Sequence, residues 1–329
     1  RAELLRKLPV SLADRAGWAR DIQAAFAAQN LEASSSNLCA VLSVVEQEST
    51  YRVDPPVPGL SGIARREIDR RAAAVGVPRL LVDSALKLRS ADGRTYAERI
   101  AALRTEQELS ALFEELADRV PLGKRLFGRF NPIRTGGPMQ VRIDFAARHA
   151  RGYPYPIDGS IRREVFSRRG GLYFGIKHLL DYPADYASPL YRFADFNAGW
   201  YASRNAAFQR AAGIAAGTRL VGDGDLLAPG AQMDSPGATE RALRSIGSRL
   251  GMDAAAIRAD LQRGDGAGFA RTALYQQVFA IADAKGSGKP VPRASLPQIE
   301  LDSPKITRKL TTAWFAGRVN ARWKACMAR

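Results

Sequence analysis

Long apolar runs, histidines and alternating β-branched segments are all scarce in this chain of 329 residues. No stretch of about 18 apolar residues is present, so the sequence predicts no membrane-spanning helix. Runs of alternating β-branched residues are rare, which disfavours a β-sheet protein. The two histidines, His149 and His178, lack partners at metal-ligand spacing, so we expect no metal centre and no cofactor.

Acidic residues are also few, since 33 Asp and Glu face 49 Lys and Arg and the net charge is +16. Such a balance favours polyanionic partners, among them nucleic acid, anionic lipid headgroups and acidic cell-wall polymers. The sequence contains no block of five basic residues, no zinc-finger spacing and no aromatic RNA-binding signature. We therefore expect no nucleic-acid partner and interpret the basic residues mainly as solvated faces.

The chain has two cysteines, Cys39 and Cys326, which lie near its opposite ends. Their spacing matches no metal or redox motif. One interpretation is a single disulfide that closes a very long loop and contributes about 3–5 kcal/mol in the chain-entropy model. The other is two separate buried thiols. The residues alone leave both interpretations open.

Helical periodicity dominates the chain and predicts an all-α, mainly helical fold. Residues 14–30 repeat apolar side chains at three and four positions, which is typical of an amphipathic helix. Ser34 and the polar residues after it are N-cap candidates for a second helix that runs to about Glu48. Residues 61–119 show a charged helical pattern, and MQVRIDFAARHA at 139–150 predicts a further helix.

Three short motifs stand at predicted helix ends or turns. Glu48-Ser49 ends the apolar segment VLSVVEQESTY, GGPMQ occupies residues 136–140, and ADFNAG occupies residues 194–199 after a helix with GLYFGIKHLL. Taken in order, they resemble the lytic transglycosylase family of the lysozyme superfamily. That family has a Glu-Ser at a helix end, a Gly-x-Met-Gln turn and a Tyr-Asn-Ala-Gly segment. The resemblance covers roughly residues 35–210.

The resemblance implies that Glu48 is the catalytic acid and base. A glutamate at the end of an apolar helix is partly desolvated, which raises its pKa and lets it hold a proton near neutral pH. After the glycosidic bond opens, the same carboxylate takes the proton of the muramic acid 6-hydroxyl, which closes on C1. One carboxylate is therefore enough, and Glu46, on another face of the helix, is interpreted as structural.

The other candidate site residues lie in or near the three motifs and are expected to contact substrate. They are Ser49, Met139, Gln140, Tyr173, Asp195, Phe196 and Asn197.

The third motif departs from the family pattern at two positions. Phe196 stands where the family has Tyr, and Asp195 stands where it has a small apolar residue. If Asp195 faced the groove it could orient a water and give an inverting hydrolase, which requires about 6.5–9.5 Å between the two carboxylates.

The long stretch between Glu48 and Gln140 replaces a short loop of the family, so we predict an inserted helical region. The predicted organisation is a lysozyme-like core at 1–60 and 123–211, a helical insertion at 61–122, and a C-terminal helical extension at 212–329.

A second resemblance spans nearly the whole chain. SRNAAFQ at 203–209, GDGDLL at 222–227 and LDSPKITRKLTTAWFAGRV at 301–319 are similar to the YaiW-type family of bacterial outer-membrane lipoproteins. This resemblance implies a cell-envelope location and an N-terminal lipid anchor that precedes the sequence given. It also implies an oxidising compartment, which favours a disulfide between Cys39 and Cys326.

Together, these observations predict an envelope lipoprotein that cleaves peptidoglycan as a lytic transglycosylase, with glycan strands as partners. The alternative is a non-catalytic protein that keeps the lysozyme-like fold to hold cell wall or an envelope protein partner. Contact with the membrane is expected only through the lipid anchor.

Overall fold

The computed structural model describes residues 1–119, 131–286, 289–301 and 309–329. Helices dominate these residues, which confirms the predicted all-α class. The α-helices are Ala2–Lys7, Arg15–Ala28, Ser35–Ser49, Leu60–Ala74, Arg79–Leu86, Tyr96–Ala102, Glu106–Arg119, Ile143–Arg148, Ile161–Phe166, Arg168–Leu180, Pro189–Ala198, Ala202–Ala216, Ala238–Arg244, Gly247–Leu250, Ala254–Leu261, Ala273–Lys285 and Thr312–Met327, with a 3₁₀ helix at Ala267–Arg271.

Two short antiparallel strand pairs accompany the helices. Thr135–Gly136 pairs with Val141–Arg142, and Glu300–Leu301 pairs with Leu310–Thr311. The end of the predicted insertion and the start of the predicted second core segment, at 120–130, lie outside the described residues. So do residues 302–308 of the tail motif.

The first two predicted long helices are confirmed, and so is the N-cap predicted for the second. Arg15–Ala28 begins after Asp14, whose Oδ1 accepts a hydrogen bond from the Gly17 amide at 3.0 Å. Ser35–Ser49 begins after Ser34, whose hydroxyl accepts from the Asn37 amide at 3.4 Å. These bonds satisfy amide groups that the first helical turn leaves without an internal partner.

The helix predicted at 139–150 is wrong at its start. Residues 135–142 form a hairpin, and the helix runs only over Ile143–Arg148. The turn needs left-handed backbone, with φ of 72° at Gly137 and 49° at Gln140. A Cβ at Gly137 would lie 2.1 Å from the Val165 carbonyl oxygen, so only glycine fits there.

The chain divides into two compact units, and two of the three divisions fall within the helices Ser35–Ser49 and Arg168–Leu180. The first unit comprises residues 1–33 and 45–176. Trp18, Ile22 and Phe26 are buried on the face of Arg15–Ala28 that points into its core. Arg168 reaches the same helix through ion pairs to Asp21 at 2.6 Å and to its N-cap at 2.9 Å.

The second unit comprises residues 34–44 and 177–329. Helix Ala202–Ala216 packs against Ala273–Lys285, and Pro189–Ala198 packs against Thr312–Met327. Phe208 is completely buried in its core, with its ring 4.9 Å from that of Phe269. Cys39 and Cys326 form a disulfide within this unit, so the disulfide interpretation is confirmed.

The predicted boundaries of the core, insertion and extension stay predictions. Among the described helices, none has both the length and the apolar character that crossing a bilayer requires.

Candidate functional site

Glu48 lies in the last turn of helix Ser35–Ser49, three residues after a buried segment that ends at Val45. Its side chain is partly exposed. The next residue, Ser49, is buried and its hydroxyl donates to the Val45 carbonyl at 3.0 Å. The carboxylate therefore stands where an apolar helix meets solvent, and the serine supports the helix end.

The chain leaves this helix through a strained turn. Thr50 has φ of 51° and Tyr51 has φ of 60°, so two consecutive residues with side chains adopt left-handed backbone. Such a conformation is unfavourable for any residue with a Cβ and particularly for β-branched threonine. The Tyr51 ring is buried edge-on against Trp18, with centroids 5.6 Å apart. Packing of this ring holds the turn that follows Glu48.

Left-handed backbone recurs at all three sequence motifs. The non-glycine residues with positive φ in the described chain are Asp14, Asn30, Thr50, Tyr51, Gln140 and Tyr201. Asp and Asn adopt this region readily, but the other three residue types, Thr, Tyr and Gln, rarely do. Thr50 and Tyr51 follow the first motif, Gln140 ends the second, and Tyr201 lies two residues beyond the third.

The hairpin that carries the second motif places its two candidate residues differently. Met139 is completely buried, and a Cβ at Gly175 would lie 2.5 Å from its sulfur. Gln140 is partly exposed, and its amide donates to the Gly137 carbonyl at 3.3 Å while its Oε1 accepts from Thr135 at 3.2 Å. Gln140 is thus a solvent-accessible amide on a fixed turn, and Met139 is a core residue beneath it.

Tyr173 also lies in the core of the first unit. It is 2% exposed, and its hydroxyl donates to the Gly152 carbonyl at 3.0 Å. Its own carbonyl accepts from the Gln29 side chain at 2.9 Å. These contacts give Tyr173 a packing role rather than direct contact with a ligand.

Asp195 is completely buried in the second unit and accepts four hydrogen bonds. The hydroxyls of Tyr182 and Tyr186 donate to it at 3.0 and 2.7 Å. The amides of Tyr201 and Ser203 donate at 3.1 and 2.7 Å. Burial raises the pKa of Asp195, and the donors oppose that rise. Since all four contacts are internal to the fold, we assign Asp195 to the support of this segment rather than to substrate.

The two neighbouring residues of the third motif differ in exposure. Phe196 is buried, and its carbonyl is 3.0 Å from Nε2 of His178. Asn197 is exposed, and its Oδ1 accepts from the Thr312 hydroxyl at 2.7 Å. In the parts of the chain that the structure describes, no group of His, Cys, Asp and Glu is arranged to hold a metal ion.

The predicted site residues are divided between the two units. Glu48, Ser49, Met139, Gln140 and Tyr173 belong to the first unit, and Asp195, Phe196 and Asn197 belong to the second.

The second unit contains a cavity of about 540 Å³ that no sequence motif predicts. Tyrosines and arginines supply most of its polar lining: Tyr186, Tyr191, Tyr201, Tyr275, Arg204, Arg271 and Arg293. These residues come from segments 183–204 and 267–294, which no local pattern connects. The available signal was Arg204 within SRNAAFQ, because an arginine is rarely buried without specific partners.

Comparisons with known proteins agree on one relationship. The profile of a family described as "Protein of unknown function (DUF1615)" matches residues 11–329. The chain is 54% identical over 324 residues to "Uncharacterized protein YaiW" of Escherichia coli (strain K12), with 98% of this chain and 88% of that protein aligned. No solved structure matches the chain.

Proposed function

This chain belongs to the DUF1615 family, and on that premise we propose that it is a peptidoglycan-cleaving lytic transglycosylase with Glu48 as general acid and base. The supporting observation is the strained turn directly after Glu48. Thr50 and Tyr51 have φ of 51° and 60°, which costs free energy that the surrounding packing must offset. Strain of this kind clusters at functional sites, where it fixes a group in one orientation.

The position of Glu48 fits the access that the reaction needs. Glu48 lies in the last turn of its helix and is partly exposed. A neutral acid can give its proton to a glycosidic oxygen, while access to solvent allows a glycan strand to reach it.

The proposed reaction uses one carboxylate twice. Glu48 donates its proton to the oxygen that links N-acetylmuramic acid to N-acetylglucosamine, and the bond from that oxygen to C1 of the muramic acid breaks. The resulting carboxylate then takes the proton of the 6-hydroxyl, whose oxygen bonds to C1. The product is a 1,6-anhydro ring, no water is consumed, and Glu48 regains its proton.

Asp195 supports this choice over an inverting hydrolase. A hydrolase of that class needs a second carboxylate that is free to activate water. Asp195 is 0% exposed and accepts four hydrogen bonds from its own fold. Gln140, a partly exposed amide held on the hairpin, is the residue we propose for contact with the glycan.

We extend the proposal to an outer-membrane lipoprotein of the cell envelope. The disulfide between Cys39 and Cys326 fits an oxidising compartment, since cytosolic thiols are kept reduced. The net charge of +16 favours association with an anionic wall polymer.

The test compares peptidoglycan solubilisation by the wild type, Glu48→Gln and Glu46→Gln. Both glutamates lie in the same helix and are partly exposed, so Glu46→Gln is a matched control. We expect Glu48→Gln to lower the rate by at least about 100-fold, because a general acid contributes about that much or more. Co-sedimentation with intact peptidoglycan should stay unchanged in both variants.

Equal losses in the two variants would contradict a specific role for Glu48. Absence of turnover in the wild type, with co-sedimentation kept, would overturn the enzyme and favour the non-catalytic wall-binding protein.

A further inference from the structure

The tyrosine and arginine cavity of the second unit has the dimensions of a small-molecule site. Its volume of about 540 Å³ falls within the range of about 300–1,000 Å³ that ligand pockets occupy. Small side chains leave this space open on its walls, namely Ala184, Ala187, Ala267, Ala270 and Ala294. Nothing in the reaction proposed for Glu48 uses this cavity.

Arg204 is the most deeply buried charge on the cavity wall, at 6% exposure. Its guanidinium carbon lies 4.1 Å from the ring centroid of Tyr201 and 5.2 Å from that of Phe269. Its nitrogens donate to Oδ1 of Asn205 and to the carbonyls of Gly264 and Gly266. These partners hold the guanidinium in place, and all of them are uncharged.

The positive charge of Arg204 is incompletely compensated. In the part of the chain that the structure describes, no carboxylate lies within ion-pair distance of it, and Asp195 acts only at longer range. Burial lowers the pKa of Arg204, which is the expected response of a desolvated cation. A buried charge without a paired opposite charge is costly, so an anion that enters the cavity would relieve that cost.

The other charged groups on the wall add to this positive character. Arg271 is exposed and forms no ion pair among the described residues. Arg293 is paired with Asp283 at 2.8 Å. Asp185 is the acidic residue on the lining. Because Asp283 compensates Arg293, the wall keeps Arg204 and Arg271 against Asp185 and has a net positive charge.

The tyrosine walls are held rigidly. The Asp195 carboxylate accepts from the Tyr186 hydroxyl at 2.7 Å and from the Tyr201 amide at 3.1 Å. The Tyr201 hydroxyl donates to the Pro183 carbonyl at 3.0 Å, which fixes the other end of that ring. Asp195 thus positions Tyr186 and Tyr201, which line the cavity. This role accounts for the burial of its carboxylate.

Tyr275 leaves one polar group for a ligand. It is 7% exposed, and its hydroxyl forms no hydrogen bond within the described residues. Burial raises the pKa of Tyr275, so the hydroxyl keeps its proton and can donate.

We propose that this cavity binds an acidic sugar, whose carboxylate pairs with Arg204 and Arg271 and whose ring packs against the tyrosines. Arg271, which forms no ion pair among the described residues, can present two parallel donors that match the two oxygens of a carboxylate. Arg204 adds its positive charge and the one N–H that its internal partners leave. The Tyr275 hydroxyl donates to a polar group on the sugar ring. A cavity lined by aromatic side chains with a few polar groups is typical of sites that bind ligands with both apolar and polar surfaces.

The test is calorimetric titration of the full chain with two matched pairs of sugars. N-acetylmuramic acid and N-acetylglucosamine differ by the group that carries the carboxylate, as do glucuronic acid and glucose. We expect each acid to bind and each neutral sugar to bind at least about tenfold more weakly, because a charge-assisted hydrogen bond contributes about 1.5–3 kcal/mol. The choice of N-acetylmuramic acid and N-acetylglucosamine rests on the proposed function, whereas the choice of glucuronic acid and glucose does not.

Variants then locate the binding. Arg271→Gln should weaken binding of the acids about tenfold, and Tyr275→Phe about threefold, through the loss of one charged and one neutral hydrogen bond. Arg210→Gln is the matched control, because Arg210 is exposed on the helix that carries Arg204 and does not line the cavity.

Equal affinity for the acidic and neutral sugars would overturn the proposal. So would binding that Arg271→Gln leaves unchanged, or absence of binding of both acids up to about 10 mM. If acid binding fails while Glu48-dependent turnover of peptidoglycan persists, the cavity proposal falls and the proposed function stands.

Discussion

Glu48 and Asp195 are two carboxylates near helix ends, and their surroundings differ sharply. Glu48 is partly exposed in the last turn of Ser35–Ser49. Asp195 is 0% exposed and accepts hydrogen bonds from two tyrosine hydroxyls and two backbone amides. The difference teaches that a carboxylate in a sequence motif can either take part in a reaction or support the fold. The burial of the carboxylate and the number of its hydrogen-bond donors distinguish the two roles.

Removing the supporting carboxylate should have the largest effect on stability. Asp195→Ala leaves the hydroxyls of Tyr182 and Tyr186 and two amides without their acceptor inside the core. We expect the free energy of unfolding to fall by about 3–5 kcal/mol, measured by urea denaturation. Asp185→Ala, at an exposed position, is the control and should change it by less than about 0.5 kcal/mol. A loss below about 1 kcal/mol for Asp195→Ala would contradict the supporting role assigned to Asp195.

Replacing the proposed reactive carboxylate should cost much less. In Glu48→Gln the amide keeps the size of the side chain and still reaches solvent. We expect the free energy of unfolding to change by about 1 kcal/mol or less, measured in the same urea series. A loss as large as that of Asp195→Ala would mean that Glu48 is also a supporting residue.

The exposed ion pair between Arg142 and Asp144 should contribute least to the free energy of unfolding. The Arg142 guanidinium, at 2.6 and 2.9 Å, lowers the pKa of Asp144 from 3.8 to about 2. Because the folded pKa is the lower one, the stability it contributes is present above pH 3.8 and is lost as pH falls towards 2. Both side chains are about half exposed, so screening limits the contribution to about 0.5 kcal/mol.

Urea denaturation of Arg142→Gln at pH 4.5 and 2.5 checks this expectation. The variant should lose the part of the pH dependence that the wild type owes to Asp144, and high salt should reduce the difference between the two proteins. Arg148→Gln, whose guanidinium lies 3.4 Å from Asp144, should have a smaller effect. A difference that salt leaves unchanged would show that the pair is less solvated than its exposure indicates.

The helical elements could be predicted because their signals are local. Asp14 and Ser34 supply caps at the helix starts, and the apolar spacing runs on to the helix ends. The hairpin at 135–142 was missed because the sequence after it has helical period, while its turn depends on left-handed backbone at Gly137 and Gln140. The periodicity of apolar residues does not indicate a backbone conformation that a single turn requires.

The candidate site could be predicted only in part. The similarity to the YaiW-type family and the Cys39–Cys326 disulfide are confirmed. The lysozyme-like core and the role of Glu48 stay predictions. The cavity could not be found from the sequence, because Tyr186 and Tyr275 meet only after the chain has folded. Asp195 looked like a candidate for catalysis because a motif shows neither burial nor the tyrosines that donate to it.

The most direct test of the role of Glu48 is mass spectrometry of the soluble products that the wild-type protein releases from purified peptidoglycan. A reaction with one carboxylate predicts glycan ends that carry 1,6-anhydro-muramic acid. Ends that carry a reducing sugar would show that water is consumed, and would contradict the conclusion that Asp195 is a support and Glu48 acts alone.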